Sequence, residues 1–282
     1  MKPEILPDSA LAVLGHLGEY RFLTAAQLVR LGGARSTPRS MSNLLRQLES
    51  KNRLVGKISF GVHPTEGKLE NVYFLSTKGA ALLERESGLP AEAIKFPKSS
   101  GTLFQRDYFH RLACLDFQIA FKAALRGRGF DCLRFDRYFD PAGDARATRG
   151  GTAPVLTSIP LAAGQTIIPD AMAIYHNGER PFLFLAEISM GNDAKRVANQ
   201  LRAHIAVLGS GAVSEHFGFD RGHFVACLFE STSCMQSVMR QLADDPGIGE
   251  HYRRHFLFAP IASGFPEEWN LWDGLRMTFH GL

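Results

Sequence analysis

The sequence has no apolar run near the ~20 residues that a helix needs to span a bilayer. Its longest apolar runs, such as Phe182–Ala186 and Phe224–Phe229, are of strand length and read as buried. No membrane partner is expected. The start lacks the apolar segment of a secretory leader, because Met1-Lys2-Pro3-Glu4 leads into a short amphipathic stretch. Cysteine is scarce. Cys114, Cys132, Cys227 and Cys234 are scattered, form no CxxC pair and offer no zinc site, which fits buried, reduced thiols in a cytoplasmic protein. What remains is ordinary globular composition, 45% hydrophobic and 21% charged over 282 residues, enough for one large domain or two modest ones.

The net charge of +4 is modest, but it is unevenly placed. Residues 1–85 carry 12 Lys and Arg against 7 acids, and the remainder carries 20 against 21. Between Arg35 and Lys57 six basic residues face a single acid, Glu49. A basic segment on an otherwise balanced chain is the electrostatic footprint of a polyanion partner, or else a solvated helix face.

Helical spacing of Ala10, Leu11, Val13, Leu14 and Leu17, with Asp8 as cap and Gly18 as stop, predicts a first helix. Thr24 and Gln27 form a capping box for a second, Ala25–Leu31, closed by Gly32-Gly33. Ser36 or Thr37, followed by Pro38, opens a third helix that runs to about Lys51. Met41, Leu44, Leu45 and Leu48 form its inner stripe, and Arg39, Ser40, Asn43, Arg46 and Gln47 lie off it. Those are side chains that reach base edges and phosphates in a major groove. Two strand-like runs, Leu54–Phe60 and Asn71–Leu75, flank a polar loop carrying His63 and Lys68. The run "VYFLSTKGAALL" then leads into a short helix, Ala80–Glu86. Residues 8–86 thus resemble winged helix-turn-helix domains. Some of these bind proteins, and the local charge favours double-stranded DNA. The DNA-contacting candidates are Arg35, Arg39, Ser40, Asn43, Arg46, Gln47, Lys57 and Lys68.

The expected division is a winged helix over 1–86, a linker over 87–101 rich in Gly, Pro and Ser, and a second domain over 102–282. Within the linker, Ile94–Phe96 is a short apolar piece able to dock on either side. The second domain opens with a long helix, Thr102–Gly127, capped by Thr102, and a strand, Phe130–Tyr138. Asp140–Gly164, with Arg146 and Arg149, reads as a mobile loop. A strand Gln165–Tyr175, a turn at Asn177-Gly178 and an apolar strand Arg180–Ser189 follow. Next come a helix from Asn192 to Leu208, a strand Gly222–Glu230, a helix Ser233–Ala243 and a last core strand His255–Ala259.

That order is αβββαβ in an α/β (α+β) chain, and it resembles the PD-(D/E)xK, restriction-endonuclease-like nucleases. The resemblance rests on Pro169-Asp170 at one strand and Glu187 in the next, 17 residues on. It implies that Asp170 and Glu187 hold Mg²⁺ or Mn²⁺, which polarises a scissile phosphate and activates a bound water. Asp170 also suits a strand-end turn, whereas Glu187 within "FLFLAEISM" would be costly to bury unpaired. Ser189 stands where that fold's lysine is usual. Lys195 on the following helix is the candidate replacement, so the catalytic set is Asp170, Glu187 and Lys195, with Arg196 next. His110 and Asp107 lie within one helical turn of each other and are further candidates, although His110 also suits a structural role. Gln200 or His204 could contact phosphate, with a solvated helix face as the default reading.

The winged helix together with "FHRLACLDFQIAF" and "IIPDAMAIY…FLFLAEISMGNDAKRVANQLRAH" resembles the plasmid replication-relaxation family, which includes MobC-type relaxases and relaxosome proteins. The resemblance covers about residues 8–208. It implies recognition of plasmid DNA in replication, relaxation or conjugative transfer, with metal-dependent nicking where the site is intact. Its usual run is closer to Glu-x-Asp-x-Gly, and Ser189 replaces one of those acids. Two readings follow. One is a metal-dependent DNA endonuclease or relaxase. The other is a non-catalytic replication or relaxosome accessory, or a transcriptional regulator, with a degenerate nuclease fold serving for dimerisation or ligand sensing; a homodimer or relaxosome proteins are the expected partners.

Overall fold

The computed structural model describes residues 6–32, 35–97, 107–141, 155–161, 165–219, 222–261, 265–271 and 276–278. The chain contains both helices and strands, an α/β fold, and divides into two compact units between Tyr108 and Phe109. The first unit runs α1 (Asp8–Tyr20), β1 (Leu23–Thr24), α2 (Ala25–Arg30), α3 (Pro38–Ser50), β2 (Val55–Ile58), β3 (Val62–His63), β4 (Gly67–Lys68), β5 (Val72–Leu75) and α4 (Thr77–Ser87). Strand β5 is central to a three-stranded antiparallel sheet in the order β1-β5-β2, and β3 pairs with β4 in the intervening hairpin.

Local chemistry accounts for most of these boundaries. Thr24 Oγ1 accepts the Gln27 N–H while Gln27 Oε1 accepts the Thr24 N–H, the reciprocal box expected. Thr37, not Ser36, caps α3, with Pro38 as its first residue. Asp8 does not cap α1; Pro7 holds that position, and Asp8 lies in the first turn, where its charge faces the positive end of the helix dipole. Gly18 does not stop α1. The helix continues to Tyr20, and Gly18 is buried where a Cβ would lie 2.6 Å from Leu83 Cδ2, so the glycine admits α4. Residues 88–97 of the expected linker pack on this unit, because Ile94 is buried and the Lys95 N–H donates to Gly18 O.

The second unit comprises α5 (Tyr108–Gly127, whose first residue lies on the other side of the division), β6 (Asp131–Arg137), β7 (Ile159–Pro160), β8 (Thr166–Ile167), β9 (Ala171–His176) and β10 (Pro181–Ser189). It continues with α6 (Ala194–Ser210), α7 (Ala212–Phe217), β11 (Phe224–Phe229), α8 (Thr232–Ala243), α9 (Glu250–Arg253), β12 (Phe256–Pro260), β13 (Glu268–Asn270) and β14 (Arg276–Thr278). A seven-stranded sheet has the order β14-β13-β12-β11-β10-β9-β6. Strands β10, β11 and β12 are parallel, and β9 and β6 continue antiparallel. Phe121 of α5 stacks on Phe184 on one face of the sheet, and Val197, Ala198 and Leu201 of α6 pack with Val225 and Cys227 on the other.

Several boundaries differ from the sequence reading. The long strand expected over 165–175 is broken at Ile168-Pro169-Asp170 into β8 and β9, since proline has no N–H to continue a ladder. The region 140–164 is not wholly loop: Pro141 bridges Val155, and Thr157 and Ile159 are fully buried. Arg146 and Arg149 lie outside the described residues, as do Thr102, Gly33, the linker's Ser99, Ser100 and Gly101, and Met1–Glu4. Strand β12 is not the last, because β13 and β14 extend the sheet beyond it. Among the described residues no helix is long and apolar enough to cross a membrane.

Two helical glycines make opposite predictions. A Cβ on Gly79 would sit 2.0 Å from the Leu54 carbonyl oxygen, whereas one on Gly15 meets nothing within 4 Å. Gly79→Ala is expected to lower stability by about 2–3 kcal/mol through backbone displacement. Gly15→Ala is expected to raise it by about 0.5–1 kcal/mol through helix propensity. Urea unfolding of the two variants checks both signs.

Candidate functional site

The acids singled out in the sequence meet at one end of the large sheet. Asp170 stands just before β9, where Pro169 has ended the preceding extension, and its Oδ2 accepts the Ile188 N–H at 2.7 Å. It thus ties the entry of β9 to the end of β10. His110 of α5 reaches the same oxygen with Nε2 at 3.1 Å, and that nitrogen also lies 3.0 Å from the Ile188 carbonyl. Glu187, two residues from the end of β10, is 6% exposed. Its Oε2 accepts from Gln200 Nε2, and its Oε1 is hydrogen-bonded to His204 Nε2.

Gln200 and His204 are four residues apart on α6 and so share one face. They are not the solvated pair expected: His204 is 1% exposed and both contact Glu187. Arg196, one turn earlier on the same stripe, is close enough to lower the cost of charge on Glu187. Lys195 is exposed and lies off that stripe, about 140° around the helix from Gln200. The helix therefore directs Arg196 towards the acids better than Lys195. Ser189, at the lysine position of the motif, is buried, and its hydroxyl has no hydrogen-bond partner. Asp107, with φ of 60°, is exposed and outside the cluster.

The electrostatics follow from burial. The Glu187 carboxyl is held well above the usual carboxylate range, first by desolvation and then by the charge of Asp170, with His110, Arg196 and Gln200 opposing. His204 is pushed down to about 4 by burial, and Asp170 resists the shift. Two close acids with only partial compensation are a donor set of hard oxygens that fits a divalent cation by chemistry. By geometry, both Glu187 oxygens already have partners. Among the described residues no three His, Cys, Asp or Glu side chains are arranged to hold a metal.

A second set of side chains around the cluster has no motif in the sequence reading. Arg137 and Asp140 form a buried bidentate pair, Nε to Oδ2 and Nη2 to Oδ1, each at 3.0 Å. That clamp closes the turn after β6 and fixes Tyr138, whose N–H donates to Asp170 O. Tyr138 Oη lies 3.2 Å from His110 Nδ1 and accepts from Arg111 Nε at 3.2 Å. The Arg-x-x-Asp spacing of Arg137 and Asp140 was the available signal, but strand-end charges four residues long have many solvated uses. His223, buried and lowered to about 3 by burial with His204 and His255 adding to the shift, was also missed.

In the first unit, Arg35, Arg39, Asn43, Arg46, Gln47, Lys57 and Lys68 are exposed, while Met41, Leu44, Leu45 and Leu48 are buried. The Ser40 hydroxyl departs from expectation: it donates to Thr37 O and accepts from Thr37 Oγ1, and so is used in the α3 cap. Lys57 pairs with Glu49 at 2.9 Å, a surface contact worth about 0–1 kcal/mol and readily exchanged.

A family model described as replication-relaxation matches residues 14–219, well over half the chain, and spans both units and both acids. Comparison with curated proteins and with solved structures finds no match.

Burial of neutral histidine makes an acid-stability prediction. His223 has a folded pKa of about 3, below the ordinary histidine value of 6.5. The unfolded chain therefore takes up the proton first. The stabilising contribution is complete above about pH 6.5 and is lost as pH falls from there towards 3. His223→Gln is expected to flatten the fall in unfolding free energy between pH 6.5 and 4, measured by urea titration at several pH values.

Proposed function

The chain belongs to the replication-relaxation family, and we propose that it acts there by recognising duplex DNA of a mobile element through its first unit. The carrying observation is α3. Its inner stripe is buried, and its outer stripe presents Arg39, Asn43, Arg46 and Gln47 to solvent. The unit reads as a winged helix, with α2 and α3 as the helix-turn-helix and the β3–β4 hairpin as the wing. Arginine, asparagine and glutamine offer bidentate partners to guanine and adenine edges, and Arg35, Lys57 and Lys68 offer charge to phosphates. A second copy of the chain or other relaxosome proteins would share the DNA, in a cytoplasmic setting.

Arg39→Ala, Asn43→Ala and Arg46→Ala together are expected to abolish selective binding to fragments enriched from a random duplex library, without lowering the melting temperature. Affinity should fall steeply with salt, log Kd changing by about 0.9 per phosphate contacted for each decade of salt. A flat salt profile in fluorescence anisotropy would overturn the DNA reading and point to a protein partner.

Metal-dependent nicking is the second reading, favoured by the raised Glu187 carboxyl beside Asp170. The second unit then reads as a restriction-endonuclease-like core. Asp170 and Glu187 would hold Mg²⁺ or Mn²⁺, with Glu187 exchanging Gln200 or His204 for the ion. The cation would supply Lewis acidity at the phosphate. Arg196 is better directed than Lys195 for the motif's missing lysine. Ser189 favours instead the non-catalytic accessory or regulator. On supercoiled DNA carrying the enriched sequence, nicking that needs Mg²⁺ or Mn²⁺ and is lost in Asp170→Ala and Glu187→Ala supports cleavage. Tight DNA binding with no nicking and no calorimetric metal binding supports the accessory role.

A further inference from the structure

The turn between β9 and β10 holds the one Asn-Gly dipeptide of the sequence, Asn177-Gly178. It lies beyond the His176–Pro181 pair, at the opposite end of these two strands from Asp170 and Glu187. The Gly178 N–H donates to His176 Nδ1 at 3.1 Å, so that nitrogen presents its lone pair to the amide proton. Asn177 Oδ1 accepts the N–H groups of both Glu179 and Arg180, each at 3.0 Å. Gly178 has φ of 94°, and its missing side chain leaves open space beside the Asn177 side chain. A nitrogen beside a base, and a carbonyl carbon whose oxygen sits between two N–H donors, are the parts of an acyl-transfer site.

We propose that Asn177 is a self-modifying residue, converted through a cyclic imide to aspartate and isoaspartate with His176 as the base. Gly178 N attacks Asn177 Cγ, and its proton passes to His176 Nδ1. The charge that develops on Oδ1 is met by the Glu179 and Arg180 N–H groups. The Cγ–Nδ2 bond breaks, and the leaving nitrogen takes the electron pair and the proton from His176 and departs as ammonia. Water then opens the imide. Addition at Cγ restores the ordinary peptide link and leaves aspartate. Addition at the main-chain carbonyl carbon leaves the chain running through the side chain, as isoaspartate. One water is consumed and one ammonia released, with no oxidant or reductant.

The surroundings fit this use. Asn177 is half-buried, and Gly178, Glu179 and Arg180 are exposed, so water reaches the turn. The backbone of His176 is fixed by the sheet, paired with Pro181 of β10 on one side and Asp131 of β6 on the other, which holds the base two residues from the attacking nitrogen. The Asn177 N–H donates to Arg180 O at 3.2 Å and closes the turn around the side chain. Conversion places a new carboxylate next to Glu179. Isoaspartate also adds an atom to the backbone of the turn, so the His176–Pro181 pair at its base is the first to be lost. The inference does not rest on the function proposed above.

The test ages the full chain in neutral buffer, folded and unfolded in urea. Peptide mapping follows the amide-to-acid mass gain at Asn177, and an isoaspartate-specific methyltransferase labels the rearranged product. The folded chain is expected to convert about 10-fold faster than the unfolded one, or more, because only the fold supplies the base and the two donors together. The other asparagines, none of which precedes a glycine, should stay intact over the same period. His176→Gln should slow conversion by about 10-fold or more at an unchanged melting temperature, and added imidazole should restore part of the rate, which a purely structural role for the ring would not allow. Conversion no faster in the folded chain than in urea, aspartate formed without isoaspartate, or an unaltered rate in His176→Gln overturns the proposal. Should His176→Gln fail to fold, the comparison of folded and unfolded wild type decides alone.

Discussion

The burial of a carboxylate in β10, an interior strand of the large sheet, sets the constraint that the second unit answers. Eight of the nine residues of β10 are buried, and Glu187 is among them. An acid there is costly unless its oxygens are hydrogen-bonded and its charge is offset or neutralised. Helix α6 meets the first need by presenting Gln200 and His204 one turn apart, each to a different oxygen. The second need is met only in part, because Asp170 adds a second negative charge and Arg196 stands at the exposed end of the stripe. The site holds more proton or cation demand than its neighbours satisfy, a condition common where titratable groups do chemistry.

Asp170 links that demand to the rest of the unit. One carboxylate oxygen receives a backbone N–H from β10 and the imidazole of α5, so a single residue registers a strand against a helix on the opposite face. The proline before it breaks the ladder and frees the carboxylate from the strand's own pairing. On the far side of His110, the turn after β6 is held by an ion pair with almost no solvent contact, which makes the position of Tyr138 a property of the core rather than of a loop. Leaving either partner of that pair alone would strand a buried charge.

The two units divide their chemistry by charge. The first concentrates the basic excess, with Arg39 and Arg46 exposed on a helix anchored by four buried apolar residues and Arg35, Lys57 and Lys68 exposed outside it. The second is nearly neutral overall and buries four acids, Asp136, Asp140, Asp170 and Glu187. Surface positive charge and buried polar groups thus lie in different parts of one chain.

Periodicity and capping were local enough to read directly. The box at Thr24 and Gln27, the α3 stripe and the turn at Asn177 each depend on residues close in sequence or on a simple alternation of faces. The sequence by itself therefore determined most of the longer helices and core strands of both units and the basic residues of the first, but not β7, β13, β14, α7, α9 or the break between β8 and β9. Tertiary structure alone decided which groups meet Asp170 and Glu187. Gln200 and His204 look solvated on a helical wheel until α6 is laid on β10. Gly18 looks like a stop until Leu83 fills the space beside it. Tyr138, His110 and Asp170 are separated by 28 and 60 residues counted from His110, and no period connects them. Contacts between elements depend on which face each element turns inward, and that is settled by the packing of the whole core rather than by any segment within it.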